Sequence, residues 1–176
     1  LAAADERAKQ PLRTARPAAS APTAFQLTAV RIERGERQLL SLPQLALFRD
    51  KITLVTGANG SGKSTFFQAL AKLIPYQGQI DFAGHDIQQI KNRRYRADLG
   101  LVFQHADDQF INVTVAEELA LSKRNGRHPY FQTSLPAALE LLGLTGLDER
   151  VVYSLSGGQR KKLQLLLMLM MGQPVL

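Results

Sequence analysis

The chain has 176 residues, and its 22 Lys+Arg against 15 Asp+Glu leave a formal net charge of +7. That length is one domain with room for a core, 45% hydrophobic residues exclude a disordered chain, and the lack of cysteine excludes a disulfide scaffold or thiolate zinc site. The longest apolar run, Leu165 to Met171, falls far short of the ~20 residues of a spanning helix, and no charged-then-apolar stretch opens the chain as a secretory signal would.

Residues 1–24 hold nine alanines and three prolines, no aromatic residue and neither Val nor Ile. Such a segment buries too little surface to offset chain entropy and reads as a linker or tail, kept soluble by Arg7, Lys9, Arg13 and Arg16. From Phe25 to Ile32 the residues alternate as in a half-buried strand, and Glu33 to Glu36 forms a turn. Leu45 to Phe48 is a second strand, and Ile52 to Thr56, a β-branched run ending at a glycine, fits a buried parallel strand. Ser64 to Ile74 has helical spacing and stops at Pro75; Gln79 to Phe82 is a short strand between turns; Leu99 to Phe103 is another buried strand. Thr114 and Glu117 form a capping box that starts a helix. Pro136 to Leu142 is a helix closed by Gly143, and Gln159 to Met171 a long one closed by Gly172 and Pro174. The class is α/β, with extra β at the start and extra α in the second half.

Gly57-Ala58-Asn59-Gly60-Ser61-Gly62-Lys63-Ser64 matches G-x-x-x-x-G-K-[ST] between a predicted strand and a predicted helix, with Thr65 beside it. Glycines let the backbone curl so that successive N–H groups face phosphate oxygens, and the following helix adds its positive dipole end. Lys63 supplies a mobile charge for the β and γ phosphates, and Ser64 a hydroxyl for Mg²⁺. The net positive charge also favours phosphate-bearing partners.

Leu155-Ser156-Gly157-Gly158-Gln159 opens the long helix as a second candidate anion site. Arg160, Lys161 and Lys162 crowd its first turn, where the dipole disfavours cations unless a phosphate lies in front; the alternative is a Ser156 N-cap with a solvated basic face. A phosphate loop followed by Leu-Ser-Gly-Gly-Gln resembles the ATP-binding cassette (ABC) ATPases, over residues 25–176. The resemblance implies a P-loop NTPase (RecA-like) core with an antiparallel β subdomain and an α-helical signature subdomain, about residues 105–160. It implies that two such domains pack head to tail, each ATP lying between Gly57–Thr65 of one and Ser156–Gln159 of the other. Gln104 takes the place of the family glutamine that contacts Mg²⁺ and the attacking water.

Gln104-His105-Ala106-Asp107-Asp108-Gln109 is similar to the Gln-Asn-Pro-Asp-Asp-Gln stretch of energy-coupling-factor (ECF) transporter ATPases, with His105 and Ala106 replacing Asn and Pro. That resemblance implies uptake of a vitamin or metal ion, and the Ala/Pro-rich lead-in suits a linker between two fused ATPase halves. The partners implied are a second ATPase domain, separate or fused in tandem, and a transmembrane subunit docking between Gln104 and Leu121, where Asp107, Asp108, Glu117 and Glu118 offer acidic contacts; a capped, solvated helix start explains Glu117 and Glu118 equally well. The place implied is the cytoplasmic face of the membrane, with no nucleic acid bound. An ABC-like ATPase acting on DNA or ribosomes is the alternative; Leu155 lies only 51 positions after Gln104, with no heptad stretch for the coiled coil of the chromosome members. A degenerate half that holds nucleotide without hydrolysing it is another.

Two departures from the family stand out. No aromatic residue lies near Arg31 to Arg34 to stack on adenine; Phe25 comes early, and the Arg34 guanidinium is the substitute. After Val175-Leu176 the Mg²⁺-orienting Asp, the catalytic Glu and the switch His do not follow, and His85, His105 and His128 all precede the signature. With no starting methionine either, the chain is expected to be a portion of an ATPase domain incomplete at its C-terminus. The 176-residue polypeptide is expected not to turn over ATP measurably.

Overall fold

A computed structural model describes residues 22–35 and 37–176. The expected linker therefore lies outside the described residues up to position 21, while Thr23 and Ala24 already belong to the first strand. The chain divides into two compact units, the first ending at Tyr95 and the second running from Arg96 to Leu176.

In the first unit, β1 (Thr23–Arg34) and β2 (Arg37–Phe48) form a long antiparallel hairpin. With β3 (Gln77–Phe82) and β4 (His85–Asp86) they make one sheet in the order β2-β1-β3-β4. β2 runs back well before the expected Leu45, through Pro43, because it is an edge strand, where a missing N–H is tolerated. β1 is central and supplies the core: Phe25, Leu27, Val30 and Ile32 are all buried. The buried positions slip by one residue between Leu27 and Val30 because Ala29 takes a left-handed conformation (φ 51°), which flips the face that follows. Gly78 faces this bulge at φ 87°, and a Cβ there would strike the Ala29 carbonyl, so only glycine fits.

Helix α1 (Lys63–Leu70) lays Phe66, Ala69 and Leu70 into this unit's core and stops before the expected Ile74, because Lys72 turns left-handed at φ 58°. Helix α2 (Asn92–Asp98), which no sequence pattern announced, carries Tyr95 inward. Tyr95 packs edge-on against Phe82, which in turn stacks on Phe25, and its hydroxyl donates to the Leu70 carbonyl at 2.5 Å. Burial holds that phenol protonated far above its ordinary range.

The second unit packs α3 (Val115–Asn125), α4 (Tyr130–Thr133), α5 (Leu135–Leu142) and α6 (Gly157–Met171) around Val115, Leu119, Leu144, Val152, Leu163, Leu166 and Met170. The capping box of α3 forms as expected, and α5 and α6 end at the left-handed Gly143 and Gly172. Just before α3, Thr114 makes an isolated antiparallel bridge to Val151.

Two expected strands are not formed. Ile52–Thr56 has no strand partner, and Ile52 and Leu54 are 102% and 83% exposed rather than buried. Leu99–Phe103 is reduced to one parallel bridge, Leu99 to Val175. A parallel strand exists only as part of a ladder, and among the described residues Ile52–Thr56 has no neighbour to pair with. The α/β class holds, but the sheet that forms is antiparallel.

Candidate nucleotide-binding site

The loop Gly57–Gly62 and the first turn of α1 form one continuous structure in the first unit. Gly60 (φ 78°) and Gly62 (φ 88°) both adopt the left-handed conformation that the curl requires. Gly62 is the N-cap, its carbonyl accepting the Phe66 N–H at 2.8 Å, and a Cβ on it would lie 2.9 Å from the Leu39 carbonyl. The Ser61 N–H donates to Ala58 at 3.2 Å, closing the turn. Lys63 folds back over the loop, its Nζ donating to the carbonyls of Gly57 and Ala58, each at 2.8 Å. Gly57, Ala58, Asn59, Gly60, Ser61 and Ser64 are exposed, and no acidic residue occupies the first turn of α1. The result is an exposed glycine-rich loop with a helix N-terminus and one ammonium beside it, the electrostatics an anionic ligand needs.

The other sequence-predicted residues lie in the second unit. Leu155 is buried as the anchor, and Ser156 caps α6, accepting the Gln159 N–H at 3.2 Å while Gln159 Oε1 accepts the Ser156 N–H at 3.0 Å. This box starts α6 at Gly157, two residues before the expected Gln159. A Cβ on Gly157 or Gly158 would meet nothing, so nothing within this chain's own packing requires glycine there. With α6 starting at Gly157, only Arg160 falls in its first turn and Lys161 and Lys162 lie in the second, and all three find partners within this unit. Arg160 pairs with Asp107 at 3.3 Å, Lys161 donates to the carbonyls of Phe103 (2.7 Å) and Gln104 (3.0 Å), and Lys162 donates to Leu142 at 2.9 Å. Asp107 thus meets the charge of Arg160, while neutral backbone carbonyls hold Lys161 and Lys162.

Gln104 sits at the end of the would-be strand with its side chain exposed and its carbonyl tied to Lys161. Beyond it, Glu118 is 3% exposed and its Oε1 accepts the N–H groups of Ile111 and Asn112, both at 2.5 Å. Glu117 Oε2 accepts from Thr114 at 2.9 Å and Val113 at 3.2 Å. The Thr114 backbone N–H, with help from its hydroxyl, lowers the Glu117 pKa below its ordinary value. These two carboxylates pin a loop that holds Ile111 (81% exposed) and Val113 (61%) outward. The capping box announced the backbone bond of Glu117; only the fold shows that Glu118 also binds backbone. Phe25, 2% exposed under Phe82, is unable to stack on a base, and the Arg34 side chain lies outside the described residues. Among the described residues no group of three or more His, Asp or Glu side chains is placed to hold a metal.

Residues 40–176 match the profile of the ABC transporter family. The hemin import ATP-binding protein HmuV of Bartonella henselae is 33% identical over 137 residues, which are 76% of this chain and 52% of that protein. YkoD of Bacillus subtilis, assigned to HMP/thiamine import, is 28% identical over 154 residues, 87% of this chain and 28% of that protein. Among solved structures, cbiO1 from Clostridium perfringens, part of the ABC transporter complex cbiONQ, superposes with a TM-score of 0.69 at 23% identity, covering 86% of this chain and 63% of that one. The chain spans about half the length of the HmuV relative and less of YkoD. With the match running from Leu40 within β2 to Leu176, the chain belongs to the ABC transporter ATP-binding domain family.

Proposed function

We propose that residues 25–176 are the leading portion of an ABC ATPase domain, with the helical subdomain over about 105–160, in a subunit that binds and hydrolyses ATP to drive membrane transport. The observation that carries this is the Gly57–Thr65 loop, whose left-handed glycines, open backbone and overlying Lys63 fit a triphosphate. Gly57 to Thr65 would bind the phosphates of ATP, with Lys63 on the β and γ groups. Mg²⁺ would arrive with the nucleotide: among the described residues no group of three or more His, Asp or Glu side chains is placed to hold it, and we read the Ser64 hydroxyl and, separately, Gln104 as its protein contacts. Bound there, Mg²⁺ would neutralise phosphate charge.

The open space at Gly157 and Gly158 supports a close approach from outside, and we read Leu155–Gln159 as the surface offered to the ATP of a second ATPase domain, separate or fused. The pinned, outward-facing Ile111 and Val113 support a transmembrane subunit docking on this loop. Among the described residues no helix is long and apolar enough to cross a membrane, consistent with a peripheral place at its cytoplasmic face. The stretch Gln104–Gln109 supports ECF-type uptake of a vitamin or metal ion.

Titration of the 176-residue polypeptide with a fluorescent ATP analogue tests this reading. Binding is expected, and Lys63→Ala should weaken it at least tenfold; equal binding by the variant would sink the assignment. A phosphate-release assay on the same polypeptide should show no turnover above buffer.

A further inference from the structure

The second unit encloses an amide that apolar packing does not require. Gln164, on α6, is 0% exposed between Leu163 and Leu166. Its Nε2 donates to the Phe103 carbonyl at 3.1 Å and to Gln109 Oε1 at 2.6 Å, while its own Oε1 is buried without a partner. Gln109 Oε1 also accepts the Phe103 N–H at 3.4 Å, and its Nε2 meets Met168 Sδ. Two side chains thus bind both backbone groups of Phe103, as a neighbouring strand would. Lys161, one turn earlier on the helix, adds its donor to Phe103 and to the next carbonyl, that of Gln104. Arg160, four residues before Gln164, reaches Asp107 in the same loop. Leaving a buried oxygen unpaired costs free energy that an apolar side chain of equal size would not.

We infer that Gln164 and Gln109 form a latch that fastens the Phe103–Gln104 backbone to the signature helix, so that Gln104 and Ser156–Gln159 move as one piece. This rests on the reading of Gln104 as the glutamine that contacts Mg²⁺ of bound ATP. Gln164 is a positioning residue: it acts on Gln104 through Phe103.

The test uses the 176-residue chain and Gln164→Met, which keeps the volume and removes the donor. Two quantities are read: amide hydrogen exchange by residue, and the ratio of ATP affinity with Mg²⁺ to that in EDTA. Exchange at Phe103 should quicken at least tenfold while Leu166 and Leu167 stay within twofold, and the Mg²⁺ ratio should fall at least threefold. The half-buried Gln109→Met should repeat both effects should Gln164→Met fold poorly, and the double variant should lose no more than either single one. Gln109→Glu, which keeps the acceptor, should retain protection at Phe103. Unchanged exchange at Phe103 in both single variants overturns the latch. Faster exchange with an unchanged Mg²⁺ ratio, where Gln104→Ala does lower that ratio, overturns the positioning role. An unmoved ratio in Gln104→Ala as well, with faster exchange in the Met variants, leaves the latch standing and defeats the reading of Gln104.

Discussion

Glu117 illustrates how one side chain is tuned by its cap. Its carboxylate accepts the Thr114 N–H, which favours the charged form and lowers its pKa. A depressed folded-state value means the stabilisation is complete above the ordinary 4.5 and is lost as pH falls through the depressed value. Stability measured by thermal unfolding should therefore drop as pH falls below 4.5, and Glu117→Gln should flatten that part of the profile. A variant with an unchanged pH slope would show that the cap does not depend on charge. The pair Thr114–Glu117 was legible in the sequence because a capping box spans four consecutive residues. The carbonyl partners of Lys161, 57 and 58 positions away, were not.

At the scale of elements, α6 carries both a cap and a cluster of long-range contacts. Ser156→Ala removes the acceptor for Gln159 N–H and should lower stability by about 1 kcal/mol in a denaturant titration. Gly157→Ala should stay within about 0.5 kcal/mol of the parent, because an added Cβ meets nothing. A loss of several kcal/mol at Gly157 would mean the glycine serves the fold and not an external surface. The same helix shows where pattern reading stopped. Its length and its Gly172 terminus follow from local residues, but Gln164 reads as one polar position in an apolar run until Phe103 and Gln109 are seen against it.

For the whole molecule, the two apolar residues at Ile52 and Leu54 decide what kind of core exists. Both are fully or nearly fully exposed, so Ile52→Thr with Leu54→Thr should change unfolding stability by no more than about 1 kcal/mol. A loss of 3 kcal/mol or more, read by urea denaturation, would place them in a core after all. The sequence by itself determined the α/β class, the glycine-rich Gly57–Ser64 motif, the Thr114–Glu117 capping box and the glycine-ended helices, because each depends on residues within a turn or two of one another. Only the tertiary structure decided the rest. It showed that Ile52–Thr56 and Leu99–Phe103 do not become strands, that Arg160, Lys161 and Lys162 find acceptors far along the chain, and that Ala29 bulges opposite Gly78. Each of those outcomes is set by a partner distant in sequence: a ladder needs its neighbour, a buried or paired polar group needs its acceptor, and neither is written in the local pattern.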